Sequence, residues 1–175
     1  MARLRSFNAY RKLDRAYTRK SKYRKKSFIR ANPTCKVIKF DIGNTSGVFS
    51  HQLDLFSKDI LQIRDNALES ARQTATRALE KTLGKTNFHL KIRAYPHQIL
   101  REHSVASGAG ADRFSTGMAK SFGHPAGLAA RVFRNKPIMS VYVDEANIKT
   151  GRLALTRALH KLPCQGKIIV KKITA

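Results

Sequence analysis

The stretch ILQIRDNALESARQTATRALEKTLGKTNFHLKIR, from Ile60 to Arg93, decides the fold class. Ile60, Ile63, Ala67, Leu68, Ala71, Ala75, Ala78, Leu79 and Leu83 recur at spacings of three and four, which predicts an amphipathic helix over Ile60–Leu83. Gly84 supplies its C-terminal stop. The many alanines on the apolar face imply close packing, expected against a sheet. Phe88-His89-Leu90-Lys91-Ile92-Arg93 then alternates apolar and basic residues, the pattern of a strand with one face in and one face out.

Working outward, upstream strands are expected at Lys36–Asp41, ended by Ile42-Gly43-Asn44, and within Val48–Phe56. Pro96 breaks the alternating strand before a short one, Gln98–Arg101. Ala130–Phe133 and Ile138–Val143 follow, then a second helix over Thr150–Leu162 ended by Pro163, and a closing strand at Lys167–Ile173. The class is therefore α+β: a mixed sheet with two helices packed on it. Residues 33–175 form one domain, and residues 1–32 are an extension of a different character.

Between Arg3 and Lys36 a basic residue recurs every two or three positions and Asp14 is the only acid. Aromatics are interleaved: Phe7, Tyr10, Tyr17, Tyr23 and Phe28. With few aliphatic residues and strong self-repulsion, the segment cannot offset its ordering entropy alone. A merely solvating tail has no need of aromatics between its charges, so RNA is the expected partner, with cations on phosphates and rings on bases. The candidate RNA-binding residues are Arg3, Arg5, Arg11, Lys12, Arg15, Arg19, Lys20, Lys22, Arg24, Lys25, Lys26 and Arg30. Fully extended, the segment reaches on the order of 100 Å.

The whole chain agrees with that expectation. Its 35 Lys and Arg against 11 Asp and Glu give a net charge of +24, which calls for a polyanion, a nucleic acid or a membrane surface. No apolar run approaches the roughly 18 residues of a membrane span. The start, Met1-Ala2-Arg3-Leu4-Arg5, lacks the apolar core of a secretory signal. Cys35 and Cys164 are the only cysteines and form no CxxC, so no zinc knuckle or disulfide framework is expected and a reducing cytoplasm fits.

From His103 to Gly127 the chain is rich in Gly, Ala and Ser, an unusual length for a loop inside a compact domain. It carries Arg113, Lys120 and His124 beside Phe114 and Phe122. One reading is a surface loop without a task. The other is a loop ordered against RNA, whose glycines let the backbone approach phosphates.

The order of residues through this region is familiar. Phe88–Arg93, Pro96 and Ile99-Leu100-Arg101 lead into Gly110-Ala111-Asp112-Arg113 and Thr116-Gly117-Met118. Phe122-Gly123, Pro125, Gly127, Ala130-Arg131-Val132 and Ile138-Met139-Ser140 follow. The chain resembles the universal large-subunit ribosomal protein family called L-sixteen in bacteria and L-ten-e in archaea and eukaryotes. Upstream, Ser27-Phe28, Arg30, Pro33, Lys36-Val37, Phe40-Asp41 and Gly43 resemble its archaeal and eukaryotic branch. The short C-terminal end points to an archaeal member.

The resemblance implies an α/β-hammerhead core seated on large-subunit rRNA beside the groove that receives aminoacyl-tRNA, and a cytoplasmic place in the ribosome. It implies a basic N-terminal segment along rRNA and a central loop directed at the peptidyl-transferase centre and tRNA. The loop residues singled out are Gly108, Gly110, Asp112, Arg113, Gly117, Met118, Lys120, Phe122, Gly123 and His124, with Arg113 foremost. Neighbouring ribosomal proteins and subunit assembly factors are implied contacts; no membrane and no homo-oligomer are expected. Two positions depart from the pattern: Ala31 stands where the family tends to have Gly, and Ala119, followed by Lys120, where it tends to have Arg. A charge displaced by one residue keeps the electrostatics but alters any specific phosphate contact.

Signals for other chemistry fail on context. Leu83-Gly84-Lys85-Thr86 ends like a P-loop, but Leu79 occupies the position of the first glycine and the triplet follows a helix. Ser107-Gly108-Ala109-Gly110 has no βαβ unit around it. The histidines at 51, 89, 97, 103, 124 and 160 are dispersed, and Asp144-Glu145 suits a helix start. No acid/base pair, activated nucleophile, cofactor fingerprint or metal set is present, which disfavours an RNA-modifying enzyme. A DNA-binding reading lacks a recognition helix.

Overall fold

The computed structural model describes residues 5–13, 21–29, 31–103, 106, 108–114, 117–119, 122–134 and 136–173, without the side chains of Arg24 and Phe114. In chain order the elements are β1 (Asp41–Gly43), β2 (His51–Ser57), β3 (Leu61–Arg64), α1 (Asp65–Leu83), β4 (His89–Ile92), β5 (Gln98–Glu102), α2 (Ala111–Phe114), β6 (His124–Val132), β7 (Pro137–Val143), α3 (Ile148–Leu159) and β8 (Gly166–Lys172). The class is α+β as expected. Its strands fall into two sheets, β1-β4-β7-β2-β8 and β3-β6-β5, and every registered pair is antiparallel, where one mixed sheet was expected.

The core lies between the larger sheet and the two long helices. Leu53 and Leu55 of β2 pair across from Val141 and Met139 of β7, and Leu90 and Ile92 of β4 occupy the same face. Helix α3 presses on this layer at Gly151, where an added Cβ would meet the Leu53 side chain at 3.2 Å. Helix α1 lies close against α3, and its buried Ala71, Ala75 and Ala78 share one core with the sheet residues. Small residues allow that close approach.

Several boundaries differ from the sequence expectation, each for a physical reason. Ile60 and Ile63 do not open the helix. Leu61 and Ile63 are buried in β3, opposite Val132 and Ala130 of β6. Ile60 and Ile63, three apart, fit a helix, whereas Leu61 and Ile63, two apart, fit a strand, and the distant partner strand decides. Lys36–Phe40 is not a strand, because the Lys36 and Ile38 amides donate to the Asp65 and Glu69 carboxylates of α1. Pairing begins only where Ile92 N–H donates to Phe40 O, at 2.8 Å. The glycine-rich loop ends at Gly123, not Gly127: β6 starts at His124 and takes in Pro125 and Gly127. The register slips there, between Leu100 and Arg101 of the partner strand. A proline has no N–H to give the ladder, and a bulge accommodates it. Helix α3 spans Ile148–Leu159, so it stops short of Leu162, which is buried in the turn that follows. Among the described residues no helix is long and apolar enough to cross a membrane.

Two glycines separate backbone strain from collision. Gly84 caps α1 at φ +73° with open space around it, and its N–H donates to Glu80 O at 3.1 Å. Gly43 has φ +90°, and a Cβ there would collide with the Phe88 carbonyl. Gly84→Ala is expected to cost about 1–3 kcal/mol, from its backbone alone, since φ +73° with ψ −174° is a region nearly confined to glycine. Gly43→Ala is expected to cost about 3 kcal/mol or more, because strain and overlap combine. Urea unfolding of both variants checks the order.

Candidate nucleic-acid interface

Residues 5–13 lie against the outer edge of β3. The Gln62 amide N–H donates to Arg11 O at 3.1 Å, and its side-chain Nε2 donates to Lys12 O at 2.7 Å and Tyr10 O at 3.3 Å. Arg64 Nη1 donates to Arg5 O at 2.9 Å. Arg5 in turn pairs through Nε with Glu102 at 3.1 Å and donates from Nη2 to His103 O at 2.8 Å. Phe7 packs on the main core. Burial, with the Glu102 charge, pushes the Tyr10 phenol up from its usual pKa, while the Arg5 and Arg64 charges pull the other way. The first described stretch is thus a strap that covers a sheet edge, one way to keep such an edge from pairing elsewhere. Further on, Ile29 is buried with Ile99 and Leu128.

The candidate cations divide accordingly. Arg5 is held by internal partners, whereas Arg11, Lys12, Lys22, Lys25 and Lys26 are exposed. The Lys22 and Lys26 ammonium groups stand 5.2 and 5.4 Å from the centre of the Tyr23 ring, which is itself 57% exposed. Cations held on an open aromatic ring suit phosphate and base together. Arg24 lies in a short turn, Arg24–Lys26, and its side chain is outside the description. Arg3, Arg15, Arg19, Lys20 and Arg30 lie outside the described residues, as does Lys120 of the loop.

The loop springs from the β5–β6 arm, where Glu102 pairs with His124. Arg101 bridges its far side, donating to the carbonyls of Phe122 and Met118. His103 meets the Phe122 ring edge-on at 4.9 Å. Gly123 has φ +105°, and a Cβ there would press on the Met118 side chain. Met118, Phe122 and Gly123 are therefore gathered around Arg101. Gly108 and Gly110 also hold positive φ, but in open space. They lead into α2, a helical turn not anticipated from the sequence, on which Asp112 and Arg113 are exposed. Gly117 and His124 are exposed as well.

The sheet face turned away from the helices carries a polar network that sequence reasoning did not assemble. Buried Asp54 accepts from Gln52 Nε2 and Ser140 Oγ, both at 2.6 Å, and pairs with Lys171 at 3.4 Å. Arg93 donates to Ser140 Oγ at 3.1 Å and to the Tyr142 hydroxyl. The Tyr142 ring stacks on His89 at 5.1 Å, and His89 contacts Asp41 at 3.0 Å. Burial alone would raise the Asp41 carboxyl. The His89 hydrogen bond and the Lys91 charge outweigh it and hold the carboxyl below its usual range. Alternation placed Lys91 and Arg93 on an outward face; only strand pairing reveals what they meet. Among the described residues no group of three or more His, Cys, Asp or Glu is placed to hold a metal ion.

The model of the ribosomal protein L16p/L10e family matches residues 18–169. The chain belongs to that family. It is 45% identical over 163 residues to the large ribosomal subunit protein uL16 of Archaeoglobus fulgidus, covering 93% of this chain and 90% of the relative. The protein of the same name from Methanocella arvoryzae is 41% identical over 150 residues, covering 86% and 87%. The uL16 of Methanospirillum hungatei is 41% identical over 152 residues, covering 87% and 89%. The resemblance read from the glycine-rich block is thereby upheld, on the archaeal side of the family. This L16p/L10e member is a large-subunit ribosomal protein, part of a ribonucleoprotein that carries out translation in the cytoplasm, and not an enzyme.

The Gln62 side chain holds the strap through two of its hydrogen bonds, and leucine has nearly its shape without them, keeping only the backbone bond to Arg11 O. Gln62→Leu is expected to leave the fold intact and to loosen the backbone at Tyr10–Lys12. Limited trypsin digestion should then cut after Arg11 and Lys12 several-fold faster than in the wild type.

Proposed function

We propose that this ribosomal protein docks on large-subunit rRNA through the exposed cations of its N-terminal extension, residues 1–32, and supports aminoacyl-tRNA positioning with the loop of its 33–175 domain. The observation that carries the reading is the build of the loop. Paired strands hold both ends, Arg101 clamps its return, and Arg113 stands exposed on a short helix beyond two glycines with open space around them. A segment rooted in this way reaches outward without losing its direction.

The chemistry is positional. Lys and Arg neutralise phosphates and release counterions, so affinity falls steeply with salt. Tyr23, flanked by cations, stacks on an exposed base, a contact worth about 1–3 kcal/mol. The side chains read RNA shape and backbone more than sequence, because the A-form major groove is too narrow for them. The loop takes its final order on the docked subunit, where Arg113 meets a phosphate of tRNA or of the rRNA around the peptidyl-transferase centre. Peptide transfer itself stays with rRNA. Neighbouring ribosomal proteins and subunit assembly factors are the chain's further partners.

Sedimentation of a lysate through sucrose at moderate and high salt tests the docking. The protein is expected to travel with the large subunit at both; a position at the top of the gradient would overturn it. Arg113→Ala tests the loop separately. It should co-sediment like the wild type yet weaken aminoacyl-tRNA binding to the subunit by roughly tenfold, as expected for one charge-assisted contact. Normal tRNA binding and normal subunit profiles in that variant would refute the loop's role.

A further inference from the structure

The connection between β4 and β5 and the turn between β6 and β7 face each other where the two sheets join. Arg93, Tyr95 and His97 stand on one side, and Arg131, Lys136 and Pro137 on the other, around a cavity of about 180 Å³. Among the described residues three cations and a histidine line it, and no carboxylate does. Its walls are fixed by the backbone. The amides of Arg93 and Ala94 both donate to Ile138 O, at 2.8 and 3.1 Å, and Lys136 N–H closes its turn on Phe133 O at 3.2 Å. The Arg93 guanidinium is aimed by Ser140 and the Tyr142 hydroxyl. At the rim, Tyr95 has one face against Phe40, at 5.2 Å, while its ring remains 59% exposed.

A cavity of this size, ringed by cations, suits a phosphate group and is too small for a whole nucleotide. The aromatic ring beside it separates two candidate occupants. An acidic peptide would use the cations and leave Tyr95 idle, whereas an unpaired nucleotide brings a phosphate and a base at adjoining positions. His97 immediately precedes β5 and Val132 ends β6, so the cleft lies at the root of the arm whose other end bears the glycine-rich loop. From Gln98 to Glu102 the two ends are about 13 Å apart at the usual strand rise.

We propose that this cleft binds a backbone phosphate of an unpaired rRNA nucleotide, whose base stacks on Tyr95, and so anchors the root of the arm that carries the loop. The proposal rests on the rRNA-docking reading above. It adds a second, strand-borne contact site, distinct from the N-terminal extension and from the loop. An arm held at its root has only one direction in which to present its loop.

The test is rebinding of the full chain to large-subunit cores stripped of it, measured across a salt series, with deproteinised large-subunit rRNA as a second target. Arg131→Gln/Lys136→Gln should weaken binding about tenfold and lower the salt slope by about one, since one phosphate is no longer neutralised. Tyr95→Ala should weaken binding at least about fivefold with the slope unchanged, and Tyr95→Phe should restore it. Lys136→Gln alone, on an exposed turn, carries the test if the double variant melts early, and Lys136→Arg should recover the slope. Wild-type slopes in all variants would overturn the cleft while leaving rRNA docking intact. Absence of salt-dependent rebinding by the wild type would overturn both. A loss seen on cores but not on rRNA alone would assign the cleft to an acidic protein neighbour and overturn the proposal.

Discussion

Leu61 to Arg64 is a buried four-residue strand, and its backbone groups need hydrogen-bond partners on both edges. On one edge β6 supplies them, with Leu61 opposite Val132 and Arg64 opposite Ala129. On the other, the strap at Tyr10–Lys12 does so, through the backbone and side chain of Gln62. At Arg64 the strand passes straight into α1, with Asp65 in the first helical turn. The strap, the loop-bearing arm and the long helix are therefore mechanically joined through four residues. Displacing β3 would move all three, which explains why so short a strand is so completely covered.

The distribution of charge follows from the same economy of partners. Asp41, Asp54, Asp65, Glu69 and Glu102 each have an internal partner: Lys91 or His89, Lys171 and Ser140, the Lys36 amide, Arg72, and Arg5. The Arg72 hydrogen bond holds the Glu69 carboxyl below its usual range. These acids order the fold and contribute little to the outward field. With five of the 11 acids engaged inside, the net charge of +24 is expressed outward by cations on the strap, the sheet and the cleft. A surface of that kind is held together in the ribosome by the polyanion it meets.

Sequence and structure disagree where a residue's partner is far away in the chain. The run from Ile60 onward satisfied a helical period, yet its first residues belong to a strand whose partner lies some seventy positions on. Lys36–Phe40 has a strand's composition but spends its amides on carboxylates of α1. The glycine-rich block was legible as a special segment, and its family resemblance as well, because those depend on local composition and residue order. Its exact limit at Gly123 was not, since Pro125 and Gly127 look like loop residues until β5 pairs with them. The cations of the cleft were invisible for the same reason: Arg93, Arg131 and Lys136 are scattered in sequence and meet only at the joint of the sheets.

The sequence by itself determined the α+β class, the two main helices, the basic aromatic-laced extension, the demand for a polyanionic partner and the family. Each of these rests on periodicity, composition or residue order, which short-range sterics and the summed charge translate directly into structure. Only the tertiary structure decided the division into two sheets, the docking of the strap on β3, the close approach of α1 to α3 and the gathering of cations at the sheet joint. Those depend on long-range strand pairing, in which a backbone hydrogen bond is indifferent to the side chain that bears it, so no local pattern announces which strands will meet.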